Sequence, residues 1–171
     1  QPVMKEIAKN NDAFYNTHRK FSVYLSILSF AAAISMYLFS DLVVLILLGN
    51  QWGFVSDLIK ILAFSIPSQV ALASIGGFFQ ALNRPDLLMI YGVITAALVL
   101  SGVILGLTNG DTQLICWALV GAFTLSFYFA YAILIIVALK RRLLDYFRFL
   151  IDMILITVVT PSISFAAFLY G

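Results

Sequence analysis

Charge is scarce in this chain. Of its 171 residues only 11% are Asp, Glu, Lys or Arg, where a soluble domain carries about a quarter. The net charge of +2 is small and scattered, which argues against a nucleic-acid partner. There is one cysteine, Cys116, so no intrachain disulfide can form and no cysteine cluster can hold a metal. The single histidine, His18, leaves little material for acid–base or metal chemistry. No nucleophile–base pair, phosphate-cradling glycine loop or dinucleotide fingerprint is present. No enzyme activity, cofactor or metal is therefore expected. Residues 1–20 are polar, so they are not a signal peptide.

What fills the chain instead is apolar side chain. It is 63% hydrophobic, with mean hydropathy +1.04. A soluble fold of this size has too little interior to bury that much apolar surface, whereas lipid tails solvate it directly. A spanning helix needs roughly 20 largely apolar residues. Five segments qualify: Phe21–Ser40, Leu58–Leu82, Leu87–Leu107, Thr112–Leu139 and Phe149–Tyr170. The fold class expected is all-α, a polytopic bundle of about five spanning helices. Leu42–Leu48 is too short to span and reads as an extension of the first helix or as a short interfacial helix, with Trp52 as its anchor. Two domains follow: a cytoplasmic polar segment at 1–20 and a transmembrane bundle at 21–171.

The connections are tight. Asn83-Arg84-Pro85-Asp86 is a turn whose proline suits the start of the next helix. Thr108-Asn109-Gly110-Asp111 is another, with Asn-Gly turn chemistry. Lysine and arginine alternate between the loops. Residues 1–20 hold Lys5, Lys9, Arg19 and Lys20, the turn at 83–86 holds Arg84, and 140–148 hold Lys140, Arg141, Arg142 and Arg148. The other loops have only Lys60. By the positive-inside rule, 1–20, 83–86 and 140–148 are cytoplasmic, and 41–57 and 108–111 lie outside. The start at Gln1 and the odd helix count lead us to expect a piece of a longer chain.

Each segment carries a narrow stripe of small and polar residues at helical spacing. The first has Ser22, Ser26, Ser29, Ala33, Tyr37 and Ser40; the second Ser65, Gln69, Ala73, Gly76 and Gln80. The third has Tyr91, Thr95, Gly102 and Gly106; the fourth Trp117, Gly121, Thr124, Tyr128 and Tyr131; the fifth Thr157, Thr160 and Ser164. Lipid rewards none of these. They face other helices, with Gly102 and Gly106 as the plainest packing signal, or they line a wet cavity. The cavity candidates are Gln69, Ser65, Gln80, Thr124 and Tyr128. Pro67 and Pro161 each remove a backbone donor and imply a kink or a hinge. Three charges at helix edges are possible substrate contacts: Lys60, Arg84 and Asp152. The simpler roles are an Asp57–Lys60 surface pair and an Arg148–Asp152 pair at i,i+4. His18, beside Arg19 and Lys20, reads as solvated.

The run Phe39-Ser40-Asp41-Leu42-Val43-Val44-Leu45-Ile46-Leu47-Leu48-Gly49-Asn50-Gln51-Trp52 resembles a segment of the bacterial polysaccharide flippases, the Wzx/RfbX-like group. The run Gly76-Gly77-Phe78-Phe79-Gln80-Ala81-Leu82-Asn83-Arg84-Pro85 is similar to a helix end of the same family. That family sits with drug exporters and lipid II flippases in one superfamily. The resemblance implies two helical lobes around a central cavity, with this chain as most of the second lobe and the first lobe missing. It implies a cargo of undecaprenyl-diphosphate-linked oligosaccharide, flipped across the inner membrane by alternating access. Another exporter of that superfamily, or a membrane module that does not transport, is the competing expectation.

Overall fold

The computed structural model describes residues 11–139 and 142–151. Among them every regular element is a helix. Helix α1 runs Asn11–Leu47, a 3-10 turn follows at Asn50–Trp52, and α2 is Gly53–Ala63. Helix α3 is Ile66–Ala81, α4 is Pro85–Asn109 and α5 is Thr112–Ala132, which runs on into a π-helical turn at Ile133–Ala138. A further helix, α6, occupies 143–151.

Three of these are long and apolar enough to cross a membrane: Tyr15–Leu47, Pro85–Asn109 and Thr112–Ala138. A fourth span arises if α2 and α3 are one bent crossing. Only 17%, 11% and 33% of the three apolar windows is buried. The apolar surface thus faces outward, the arrangement a bilayer supports and water does not. The chain is a membrane protein of helical-bundle architecture. The first, third and fourth expected segments lie within α1, α4 and α5 with its π turn, and Leu42–Leu47 extends α1 as one of the two readings allowed. Only the start of the fifth segment, 149–151, is described, as the end of α6; the rest of it, with Asp152, Thr157, Thr160, Pro161 and Ser164, lies outside the described residues.

The second segment is not one helix. Leu58–Leu82 is divided at Phe64–Ser65, and the helices on either side are bent by 54°. Pro67 is the local cause. It has no N–H for the Ala63 carbonyl, and its ring crowds that same carbonyl four residues back. The chain therefore ends α2 with tighter bonds, Phe64 N–H to Ile61 O at 3.2 Å and Ser65 N–H to Leu62 O at 2.9 Å. It restarts with Pro67 in the first turn of α3, where a backbone donor has no partner to lose.

The turns follow the local chemistry. Asn83 and Gly110 take positive φ, 55° and 68°, which asparagine and glycine tolerate best. Pro85 opens α4 as expected. Asp111 caps α5 by accepting the Gln113 N–H at 2.8 Å.

Helices α4 and α5 pack as a hairpin through Gly102 and Gly106. A Cβ at Gly102 would meet Ala118 Cβ and O, each at 3.3 Å. One at Gly106 would run into Ile115, 2.8 Å from its Cα and 2.9 Å from its N. The main core lies at the end of the bundle where α1 and α4 begin and α3 and α5 finish. There Ile75, Phe78, Phe79, Leu87, Tyr131 and Phe149 form one cluster. This end also carries Arg19, Lys20, Arg84, Arg142 and Arg148, and is called the basic end below.

Candidate functional site

The stripes divide into two kinds. On α1, Ser22, Ser26, Ser29, Ala33 and Ser40 are buried, so this stripe is a packing seam. The hydroxyls of Ser26 and Ser29 donate to the backbone of their own helix, to Ser22 O and Ser26 O, both at 2.9 Å. Tyr37 departs from the stripe and is exposed.

On α3 the pattern is reversed. Ala71, Leu72, Ile75, Phe78 and Phe79 are buried, while Gln69, Ala73, Gly77 and Gln80 are exposed. Of the α3 stripe, Gln69, Ala73 and Gln80 look away from the bundle, whereas Ser65 is buried and Gly76 half-buried. Helix α5 does likewise: Trp117, Gly121 and Tyr128 are exposed and Thr124 is half-buried. Tyr131 leaves that stripe and is fully buried. The two helices run in the same direction, and Phe64 at the break stacks on Trp117 at 6.1 Å between ring centroids. Four of the five cavity candidates, Gln69, Gln80, Thr124 and Tyr128, therefore lie on outward or partly outward faces.

Their bonds are mostly local. Ser65, fully buried at the break, donates to Leu62 O at 2.7 Å and accepts from the Gln69 amide at 2.7 Å. The Gln69 amide is thus held within its own helix. Thr124 donates to Val120 O at 2.8 Å. The Tyr128 carbonyl accepts from the Tyr146 hydroxyl at 3.2 Å, tying α5 to α6.

The break also shapes a cavity of about 350 Å3 between it and α1. Phe30, Ala33, Tyr37, Ala63, Phe64 and Pro67 are among the residues lining it. The volume is at the low end of ligand pockets, roughly 300–1,000 Å3.

The charged candidates do not converge. Lys60 has a stronger partner than the expected Asp57: its Nζ donates to Asp41 Oδ1 at 3.0 Å, while Asp57 lies 3.6 Å away. The Asp41 carboxylate also takes the Ser56 hydroxyl. Ser56 in turn lies 3.2 Å from Ser40, so α2 is fastened to the far end of α1. Arg84 sits at the basic end, forked onto Asp86 with contacts of 3.0 to 3.2 Å. That carboxylate holds the Arg84 guanidinium protonated above even its ordinary range. Lys60 and Arg84 stand at opposite ends and each has its own carboxylate, so they cannot share one anionic group. Asp152 lies outside the described residues.

No protein-family model, curated protein or solved structure matches this chain.

His18 corrects its sequence reading. It is fully buried rather than solvated. The reason is register. Positions 15, 18, 22, 26 and 29 form one face of α1, all buried, and His18 continues the serine stripe inward from Ser22. The spacing alone contained this signal. The rise in hydropathy at Phe21 hides it, because the helix begins a full ten residues earlier.

Proposed function

We propose that this chain is part of one lobe of a membrane translocase that carries undecaprenyl-diphosphate-linked oligosaccharide units across the bacterial inner membrane for polysaccharide assembly. The observation that carries the reading is the outward face of α3, with Gln69 and Gln80 exposed on a helix that follows a break. Ser65 takes one N–H of the Gln69 amide; the rest of that amide, and the exposed Gln80 amide, cost several kcal/mol in hydrocarbon unless water or another polar group meets them. A cavity shared with a missing lobe supplies both. Broken helices beside such paths are a recurrent device of transporters, because the freed backbone can line a cavity and the break can act as a hinge. The resemblance of 39–52 and 76–85 to polysaccharide flippases supports the cargo, and the helix break lies between those two runs. The polar glycan would pass along the α3 and α5 faces while the isoprenoid tail stays in lipid. The mechanism is alternating access between two lobes.

Replacing Gln69 with Leu in the full-length protein tests this. Glycan transport is expected to fall while the amount of folded protein holds. If the α3 face is instead a seam against another helix, removing the amide costs association energy of about 0.6–2 kcal/mol. Folded protein then drops, and transport per folded molecule stays normal. A cysteine at Gln69 should also react with small hydrophilic thiol reagents, and complete protection under every substrate condition would exclude a wet face.

A further inference from the structure

His18 sits where four helices meet. Its ring centroid is 4.4 Å from that of Phe78 on α3, 5.5 Å from Tyr131 on α5 and 5.7 Å from Phe149 on α6. Its Nε2 lies 3.5 Å from the Ser22 hydroxyl, which lies 3.4 Å from the Tyr131 hydroxyl. Its Nδ1 is buried with no hydrogen-bond partner. A phenylalanine would fill the same aromatic box and leave no polar atom stranded. A buried, unpaired ring nitrogen is a cost that packing alone does not explain.

The charges around the ring are few. On α1, Arg19 is adjacent in sequence and exposed. Helix α3 has no charged residue, and α5 offers Tyr131 but no charge. The π turn Ile133–Ala138 has none. Helix α6 carries Asp145, Tyr146 and the exposed Arg148, with the Asp145 carbonyl accepting from Tyr15 at 3.1 Å. On α4, Asp86 is forked to Arg84. Among the described residues no carboxylate lies within ion-pair distance of the His18 ring. Yet Arg19 and Lys20 beside it are exposed at the basic end, so water is about one helical turn away.

We propose that His18 is a proton-binding site whose occupancy opens the basic end of the bundle. The proton comes from water at that end and adds to the ring nitrogen that is unprotonated in the neutral tautomer. The resulting imidazolium has two N–H donors. Ser22 meets one of them. Among the described residues the other has no acceptor, and the charge has no counter-ion. The protonated ring therefore belongs to a form in which α6, carrying Phe149, has moved off and water reaches Nδ1. Loss of the proton to the same water lets the box close again. No co-reactant is involved, and the inference does not depend on what the chain carries.

The test uses the intact protein in lipid vesicles, in a background free of other cysteines, with a cysteine at Ala130. That position is fully buried in the same cluster. Its labelling rate by a small hydrophilic thiol reagent is divided by that of a cysteine at Asn83, which cancels the ionisation of the thiol itself. Between about pH 8 and about pH 5.5, the range histidine commands, the normalised rate should rise about tenfold, a local opening worth one decade of population. The rise should follow the 15N resonance of the His18 ring, assigned by its loss in His18→Gln. In His18→Gln the pH profile should be flat. His18→Phe fills the box without a titratable group and should be flat too, should the glutamine variant not fold. A rise that persists in either variant overturns the proposal. So does a ring that titrates while the normalised rate stays constant, or a ring that takes up no proton anywhere in the range.

Discussion

At position 106 the backbone of α5 passes so close to α4 that only a hydrogen fits between them. Alanine there would have to displace Ile115 Cα and N, which belong to a helix and cannot step aside. At Gly102 the same substitution meets Ala118 at 3.3 Å, a shift of a few tenths of an ångström. Gly106→Ala should therefore destabilise the protein in detergent by about 1–3 kcal/mol, the usual range for overpacking. Gly102→Ala should lie within about 1 kcal/mol of wild type, since alanine's better helix propensity offsets part of the crowding. Equal effects at the two sites, measured by denaturant titration, would show that the hairpin is looser than its geometry. Glycine spacing made these residues legible in the sequence, but their inequality was not. It depends on how α5 is shifted along α4, which no single-helix pattern encodes. His18 was less legible still, because its neighbours Arg19 and Lys20 speak for water while its own face speaks for the core.

At the scale of elements, the break between α2 and α3 is the feature most open to test. Pro67→Ala restores the donor that the Ala63 carbonyl lacks and removes the ring that crowds it. If the missing donor sets the bend, spin labels at Asp57 and Gln80 should move apart as the 54° angle relaxes. If the distance does not change, the bend is set by packing of Phe64 against Trp117 and Tyr37. Hydropathy reads this region as one span because Leu, Ile, Ala and Phe dominate on both sides of the break, and Ser65, Pro67, Ser68 and Gln69 at the break bring no charge. The proline announced a kink, but not its size. The α3 stripe was legible as a stripe. Which way it faced was not, since small residues serve a seam and a wet surface equally well.

For the whole molecule, the prediction is orientation. Single cysteines at Asn50 and Asn109, in a Cys116→Ser background, should react with impermeant reagents from outside the cell. Cysteines at Asn83 and Arg142 should react only after lysis. Reversed labelling would overturn the positive-inside assignment and with it the placing of the basic end in the cytoplasm. One property of α1 bears on how such a molecule would move. It is 37 residues without a glycine or proline, roughly 55 Å of helix at about 1.5 Å per residue. The hydrocarbon core is about 30 Å thick, so this helix is a rigid rod that overhangs the membrane. Its far end is fastened to α2 through Asp41, Ser40 and Ser56; its near end enters the His18 box. A rod pinned at one end is a lever. A tilt of about 10° at the Asp41 fulcrum carries the His18 position, about 35 Å along the rod at about 1.5 Å per residue, through roughly 6 Å, so a small change of angle beside Lys60 becomes a stroke long enough to part α1 from α6.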